Sequence, residues 1–357
     1  MVDWLAGNRV RGTSTERASG DFNNHLTGAG AVGGWKELGR TTLGSSGDSI
    51  SVSSLPDKRY YMLLGNHFKT GAIAHALQMN GDTGTSYSNR CSINGGSDFT
   101  NISRTRLENW GAGNTNPDLS VSYISNLSSK EKLVVEHLID QNTSGAGNAP
   151  ARRENVGKWA NTTNAINELD SINYSTGDFT SGSELVVLGW DPADTHTTNF
   201  WEELASNAGT GVNNITSGTF TAKKYLWVQI YSGDKTVDGT QDITFNNDTG
   251  SNYATRYNFN GGSDGTNVSD AHLLHNNSGL EPHFTNMFII NNSANEKLIT
   301  AHTIFGKTAG AGTAPDREEW VGKWANTSSQ ITEIDLVCSS TSNTYGSNGL
   351  IKVWGSD

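Results

Sequence analysis

The heptapeptide VGKWANT occurs twice, at Val156–Thr162 and at Val321–Thr327, 165 residues apart. An identical stretch at that spacing raises the question of an internal duplication, and the flanks answer it. GAGNAP (145–150) returns as GAGTAP (310–315), and EKL (131–133) returns as EKL (296–298). GDTG (81–84) pairs with NDTG (247–250), and INGGSD (93–98) with FNGGSD (259–264). Nearer the start of each unit, WKEL (35–38) matches WEEL (201–204) and KRYYML (58–63) matches KKYLWV (223–228). The ends ELVVLGWD (184–191) and LIKVWGSD (350–357) also correspond. A period this long is several times the roughly 20–50 residues of stacked solenoid repeats. The chain is therefore expected to hold two copies of one domain, over 34–192 and 193–357, behind an N-terminal arm of residues 1–33.

Both units are written in short runs of strand character. DSISVSSL (48–55) and LSVSYISNL (119–127) alternate apolar and polar residues, the signature of a half-buried strand. KRYYMLLGNH (58–67) is almost continuously apolar, as in a strand buried on both faces. Turns rich in Gly, Asn, Asp and Ser separate the runs, and no long segment carries the 3.6-residue period of a helix. Evenly spaced strands with polar turns predict an all-β fold: two tandem antiparallel β-sandwich, jelly-roll-like domains of about eight strands each. The composition agrees, with 41 Gly and 6 Pro in 357 residues, only 17% charged residues, and enough Trp, Tyr and Phe to build cores. Disorder would need high charge and few aromatics.

A net charge of −11 without a basic stripe speaks against nucleic acid as a partner, since phosphate binding needs clustered Lys and Arg. It disfavours an anionic membrane surface for the same reason. Cys91 and Cys338 fall at non-equivalent repeat positions, so they read as two free thiols and not as a disulfide of the domain design. That suggests folding in a reducing compartment. The first residues lack the apolar run of a secretory signal, and no stretch approaches a membrane span.

Candidate sites are few. The arm holds Trp4, Leu5, Arg9 and Arg11, apolar and basic residues suited to anchoring on a partner. Trp159 and Trp324, at the fourth position of the two heptapeptides, read as core anchors whose indole N–H finds a backbone acceptor. Trp110, Trp227 and Trp354 lie outside the repeat pattern, and Trp110 and Trp227 are taken as the candidate glycan contacts. The GDTG, NDTG and NGGSD segments read as turns, with calcium ligation the competing idea. His272 and His275 in AHLLH are weak metal candidates, and no metal or cofactor is expected. No G-x-S-x-G, H-E-x-x-H or C-x-x-C occurs. The pairs Glu168/Asp170 and Glu333/Asp335 would share a strand face, a spacing compatible with two-carboxylate chemistry but equally with solvent-facing acids. The residues thus favour a non-enzymatic protein.

Taken together, LAGNRVRGTSTER (5–17), WKELGRTTL (35–43), the NDTG and NGGSD series, EKL, GAGNAPARRENVGKWANT (145–162) and GSELVVLGWD (182–191) resemble structural proteins of tailed phages, especially those of marine metagenomes. The resemblance implies a virion component with β-sandwich domains: a head decoration, a head fibre, or a tail-associated fibre or adhesin. It carries over no catalytic residues. It implies other capsid or tail proteins as partners, a homo-oligomer such as a trimer, host surface glycan as a candidate ligand, and the virion as the location.

Overall fold

The computed structural model describes residues 34–357 apart from 109–113, 192–193, 195–198, 210, 237–238, 276–279, 307–309, 339–344 and 346–347. Ahead of residue 34 it describes only the backbone of a small antiparallel pair, β1 (Trp4–Leu5) and β2 (Asn8–Arg9). The arm residues Trp4, Leu5 and Arg9 are thus placed by backbone alone. Arg11 and Trp110 lie outside the described residues.

The first repeat runs through β3 (Lys36–Thr42), β4 (Ser49–Ser53), β5 (Tyr60–His67), β6 (His75–Met79), β7 (Tyr87–Ile93) and β8 (Phe99–Arg104). It continues through β9 (Asp118–Ser125), β10 (Lys132–Asp140), β11 (Ala151–Trp159), β12 (Glu168–Asn173) and β13 (Glu184–Trp190). The second repeats the series as β14 (Glu202–Gly209), β15 (Asn214–Thr216), β16 (Tyr225–Tyr231), β17 (Gln241–Phe245), β18 (Tyr253–Phe259) and β19 (Gly265–Asp270). It inserts β20 (Leu273–His275) and closes with β21 (His283–Ile290), β22 (Lys297–Phe305), β23 (Asp316–Trp324), β24 (Ile334–Cys338) and β25 (Gly349–Ser356).

Each repeat is a sandwich of one large and one small antiparallel sheet. The large sheets have eight strands in the matching orders β3-β13-β5-β9-β10-β11-β7-β8 and β14-β25-β16-β21-β22-β23-β18-β19. The small sheets are β4-β12-β6 and β15-β24-β17-β20. No helix occurs among the described residues. The expectation of about eight strands per unit was too low, because the large sheet alone uses eight. The additional strands are short edges, such as β8, whose polar residues carry little apolar signal.

Why some strands alternate and others do not follows from what covers them. In β4 every second residue is buried, and its outer face meets water. In β5, Tyr61 and Leu63 point into the first sandwich core, while Met62 and Leu64 join a second cluster on the other face. That second cluster also holds Trp35, Leu119, Val121, Ile139, Val186 and Leu188 of the first repeat, with Trp201, Trp227, Phe288, Leu298, Val321 and Trp354 of the second. The two large sheets therefore pack face to face, giving four layers with the small sheets outermost. Burial of each such side chain is worth about 1.5–3 kcal/mol, so this seam is as much a core as the two sandwich interiors.

The NGGSD segments form the hairpin turns joining β7 to β8 and β18 to β19. Asn94 and Gly95, and likewise Asn260 and Gly261, have positive φ (50°, 67°, 51° and 75°). This is the Asn-Gly turn whose twist matches paired strands. In the linker, Asp191 and Asp194 close a turn on each other, and Lys58 pairs with Asp194. Cys91 and Cys338 are free and buried, and burial pushes the Cys91 thiol up to about 12.

Candidate functional site

The repeated motifs converge in space. Trp159 donates its indole N–H to Asp82 Oδ2 at 2.7 Å, and Trp324 donates to Asp248 Oδ2 at 2.7 Å. The acceptor is thus the carboxylate of the DTG turn and not a backbone carbonyl as the sequence suggested. The same carboxylates accept the turn amides of Gly84 and Gly250. Burial opposes ionisation of Asp82, yet these donors hold its carboxyl below the usual range, and Asp248 is held the same way. The lysine of each EKL lies over the tryptophan ring, Lys132 at 5.2 Å and Lys297 at 5.5 Å. Each lysine also donates to the carbonyl of the heptapeptide asparagine, Asn161 or Asn326, at 2.8 Å. The Asn161 and Asn326 side chains cap the turns that follow. Gly157 and Gly322 allow Leu107 and Leu273 to approach, since a Cβ would meet those leucines at 2.9 and 2.7 Å. Trp159 and Trp324 are each 1% exposed.

A second cluster exists in the first repeat only, between its two sheets. Asp118 Oδ1 lies 2.6 Å from His67 Nδ1, and Asp118 Oδ2 lies 3.1 Å from His75 Nε2 and 2.5 Å from Lys69 Nζ. Lys69 also reaches Asp140 at 3.4 Å. Ser171 Oγ lies 3.0 Å from His67 Nε2. Ser171, His67 and Asp118 thus form the serine–histidine–carboxylate relay of nucleophilic catalysis. Sequence patterns missed it because its members sit on β12, β5 and β9, more than 100 residues apart at the extremes.

The surroundings decide what this relay can do. Asp118 is fully buried and Ser171 is 5% exposed. The adjacent cavity, lined by Leu63, Ala76, Leu77 and Leu185, measures about 10 Å³, room for about one water. Burial keeps His75 neutral, pushed down to about 3. Burial also opposes the charge on Asp118, but Lys69 and the two histidines hold its carboxyl well below the usual range. His67, His75 and Asp118 are grouped closely enough to ligate a metal. However, the Lys69 ammonium already supplies the countercharge there. At the same strand positions the second repeat carries Gln241, His283, Phe305 and Leu336 for His75, Asp118, Asp140 and Ser171, so the relay has no second copy.

The seam between the repeats is the third region. His137 and His302, equivalent residues on β10 and β22, stack with ring centroids 3.8 Å apart. A cavity of about 100 Å³ opens beside them, lined by Val121, Tyr123, Val135 and His137 and by their equivalents Asn286, Phe288, Thr300 and His302. Equivalent residues of the two repeats thus meet across the seam. Arg152 binds Asp264 and Glu319 across the seam, at 2.7 and 3.2 Å.

Trp227 lies within this seam. It is fully buried, stacks on Phe288 at 5.7 Å and donates to Asn286 Oδ1 at 2.7 Å. No glycan can stack on it, which corrects the sequence expectation, because this part of the large sheet is covered by the other repeat. Trp354 is likewise buried there. His272 faces Asp242 and Asp270 at 3.4 and 3.5 Å. Asp170 is buried, and burial raises its carboxyl to about 6.

No protein-family model matches the chain, and no curated protein matches it. Among solved structures it is similar to the LG4-5 domains of the mouse laminin alpha1 chain, at 10% identity over 92% of this chain and 91% of that one, with a TM-score of 0.20. It is also similar to the Neisserial surface protein A, at 6% identity over 79% and 99%, TM-score 0.14. An acyl-CoA hydrolase from Agrobacterium tumefaciens matches at 5% identity over 77% and 100%, TM-score 0.14. Superposition this poor carries no functional weight.

Proposed function

We propose that this chain is a non-enzymatic structural and display protein of a virion, a capsid decoration or fibre-type component. Its arm, through Trp4, Leu5, Arg9 and Arg11, docks on other capsid or tail proteins, and its four-layer body is presented to solvent. The observation that carries the non-enzymatic part is the burial of the catalysis-like relay found among the described residues. Ser171 and His67 are sealed between sheets beside a cavity of about 10 Å³. The relay acts as a structural polar network, satisfying charges that the first repeat encloses. The virion assignment is supported by the resemblance of the repeated motifs and by the unpatterned N-terminal sequence ahead of the two repeats. A symmetric homo-oligomer, such as a trimer, fits that role.

The test is quantitative peptide mass spectrometry of purified particles, counting peptides that flank Lys158 and Lys323 against the major capsid protein. Hundreds of copies per particle place the chain on the head, and a few dozen or fewer at a vertex or tail. Absence from particles overturns the virion reading. Loss of incorporation on deleting residues 1–33 is expected, and retained incorporation overturns the anchoring role of the arm.

A further inference from the structure

The buried cluster that admits no outside substrate holds two groups able to react with each other. Lys69 Nζ lies 2.5 Å from Asp118 Oδ2 and 3.4 Å from Asp140 Oδ2, and none of the three side chains has exposed surface. Lys69 follows β5, Asp118 opens β9 and Asp140 ends β10, three neighbouring strands of one sheet. In water such a pair stays ionic, since the amine is protonated and the carboxylate is a poor electrophile. Here water is excluded, and enclosing two full charges is costly. Condensation to a neutral amide removes both.

We infer that Lys69 and Asp118 join covalently, through an amide between Lys69 Nζ and Asp118 Cγ. Three features of the cluster suit this reaction. First, both oxygens of Asp118 face imidazole nitrogens, Oδ1 that of His67 Nδ1 at 2.6 Å and Oδ2 that of His75 Nε2 at 3.1 Å. A carboxylate only accepts hydrogen bonds, so both nitrogens carry the proton. These donors draw charge from the carboxylate and stabilise the oxygens of a tetrahedral intermediate. Second, Asp140 Oδ1 is occupied by Asn114 Nδ2 at 2.8 Å and by the Asn142 N–H at 2.7 Å, which leaves Oδ2 toward Lys69. Third, contact between the two reacting groups is built into the fold, which replaces a bimolecular encounter by an effective molarity of about 10⁵ M or more.

The step balances without any further reactant. Asp140 takes one proton from the Lys69 ammonium, and the freed lone pair attacks Asp118 Cγ, forming the C–N bond. A second proton from the nitrogen and the one held by Asp140 pass to Oδ2. The Cγ–Oδ2 bond breaks, Oδ2 leaves as water, and Oδ1 remains as the amide carbonyl. The cavity of about 10 Å³ beside His67 has room for that one water. The second repeat supplies an internal control. Lys235 holds the position of Lys69, as the matching bridges Lys69↔Phe179 and Lys235↔Tyr345 show, and it is 4% exposed. His283 and Phe305 stand there in place of the two carboxylates. The lysine therefore belongs to the shared fold, and the reactive partners belong to the first repeat alone. This goes beyond the virion reading and stands without it, because the chain acts once on itself and turns over no substrate.

Tryptic peptide mapping of the full-length protein tests it. The expected product joins Tyr60–Arg90 to Leu107–Lys130, uncleaved at Lys69, with a summed mass short by one water. The intact chain should be lighter than its sequence by the same water. Lys69→Arg should restore the full sequence mass, Asp140→Ala should leave most of the chain unlinked, and Lys235→Arg should keep the link. Cleavage after Lys69 with an unmodified Leu107–Lys130 peptide in the wild-type protein would overturn the inference, whatever the variants do. A water loss that persists in Lys69→Arg would overturn it as well, and full linkage in Asp140→Ala would overturn the role of Asp140.

Discussion

Lys158 and Lys323 occupy the third position of the same heptapeptide and live in opposite surroundings. Lys158 forms a surface pair with Glu131, both side chains 40% or more exposed. Lys323 and its partner Glu296 are closed off beneath the loop of the other repeat, at 0% and 4% exposure, and burial lowers the Lys323 ammonium. The comparison separates two jobs within seven residues. Gly, Trp and Asn serve the interior of each sandwich and behave alike in both copies. Val and Lys face outward, and their role depends on what the seam places over them.

Substitutions can break that division. Trp159→Ala and Trp324→Ala should each cost about 3–5 kcal/mol, as large aromatic truncations in cores do, and should agree within about 1 kcal/mol. Urea unfolding checks this, and a clear inequality would mean the two interiors are not equivalent. Lys323→Ala leaves Glu296 buried without its cation and should cost about 3–5 kcal/mol. Lys158→Ala should cost less than about 1 kcal/mol. Equal losses would contradict the asymmetric seam. Gly157→Ala and Gly322→Ala press a methyl against Leu107 and Leu273 and should each cost about 1–3 kcal/mol.

The smallest expected effect concerns pH. Burial pushes His302 down from 6.5 to about 4 and His137 in the same direction, each also disfavoured by cationic neighbours. Arg152 and Arg317 oppose protonation of His302, and Glu319 favours it. A histidine whose folded value is depressed stabilises the fold fully above about 6.5, and that contribution fades as pH falls through the window toward 4. Stability should drift down from pH 6.5 to 4, and His302→Gln should flatten part of that drift. An unchanged slope would remove the histidine pair as its source.

Much of this fold was legible. The duplication is written in the heptapeptides, and continuous apolar runs such as YYMLLGNH marked strands buried on both faces. What periodicity could not say was which layer supplied the second cover. Trp227 therefore looked available to a glycan when it is a seam residue. The Asp82–Trp159 and Asp248–Trp324 bonds join motifs about 76 residues apart, and no local pattern announces such a contact. The Ser171–His67–Asp118 relay was hidden for the same reason, and also because the second repeat has no copy to flag it. The first interior encloses the Asp118, His67, His75 and Lys69 cluster, and the second carries His283, Gln241 and Leu336 at matching positions although the two large sheets follow the same strand order. Replacing Asp118 and Ser171 by His283 and Leu336 was compatible with the fold because sheet register, and not the polar network, sets the architecture.

The most direct test of the central claim, that the two sandwiches form one body through their large sheets, is urea unfolding followed by hydrogen exchange resolved to peptides of β10 and β22. A fused four-layer body predicts one shared midpoint for both strands, moved together by Lys323→Ala. Two separate midpoints, with Lys323→Ala shifting only the second, would show two independent domains and contradict the account.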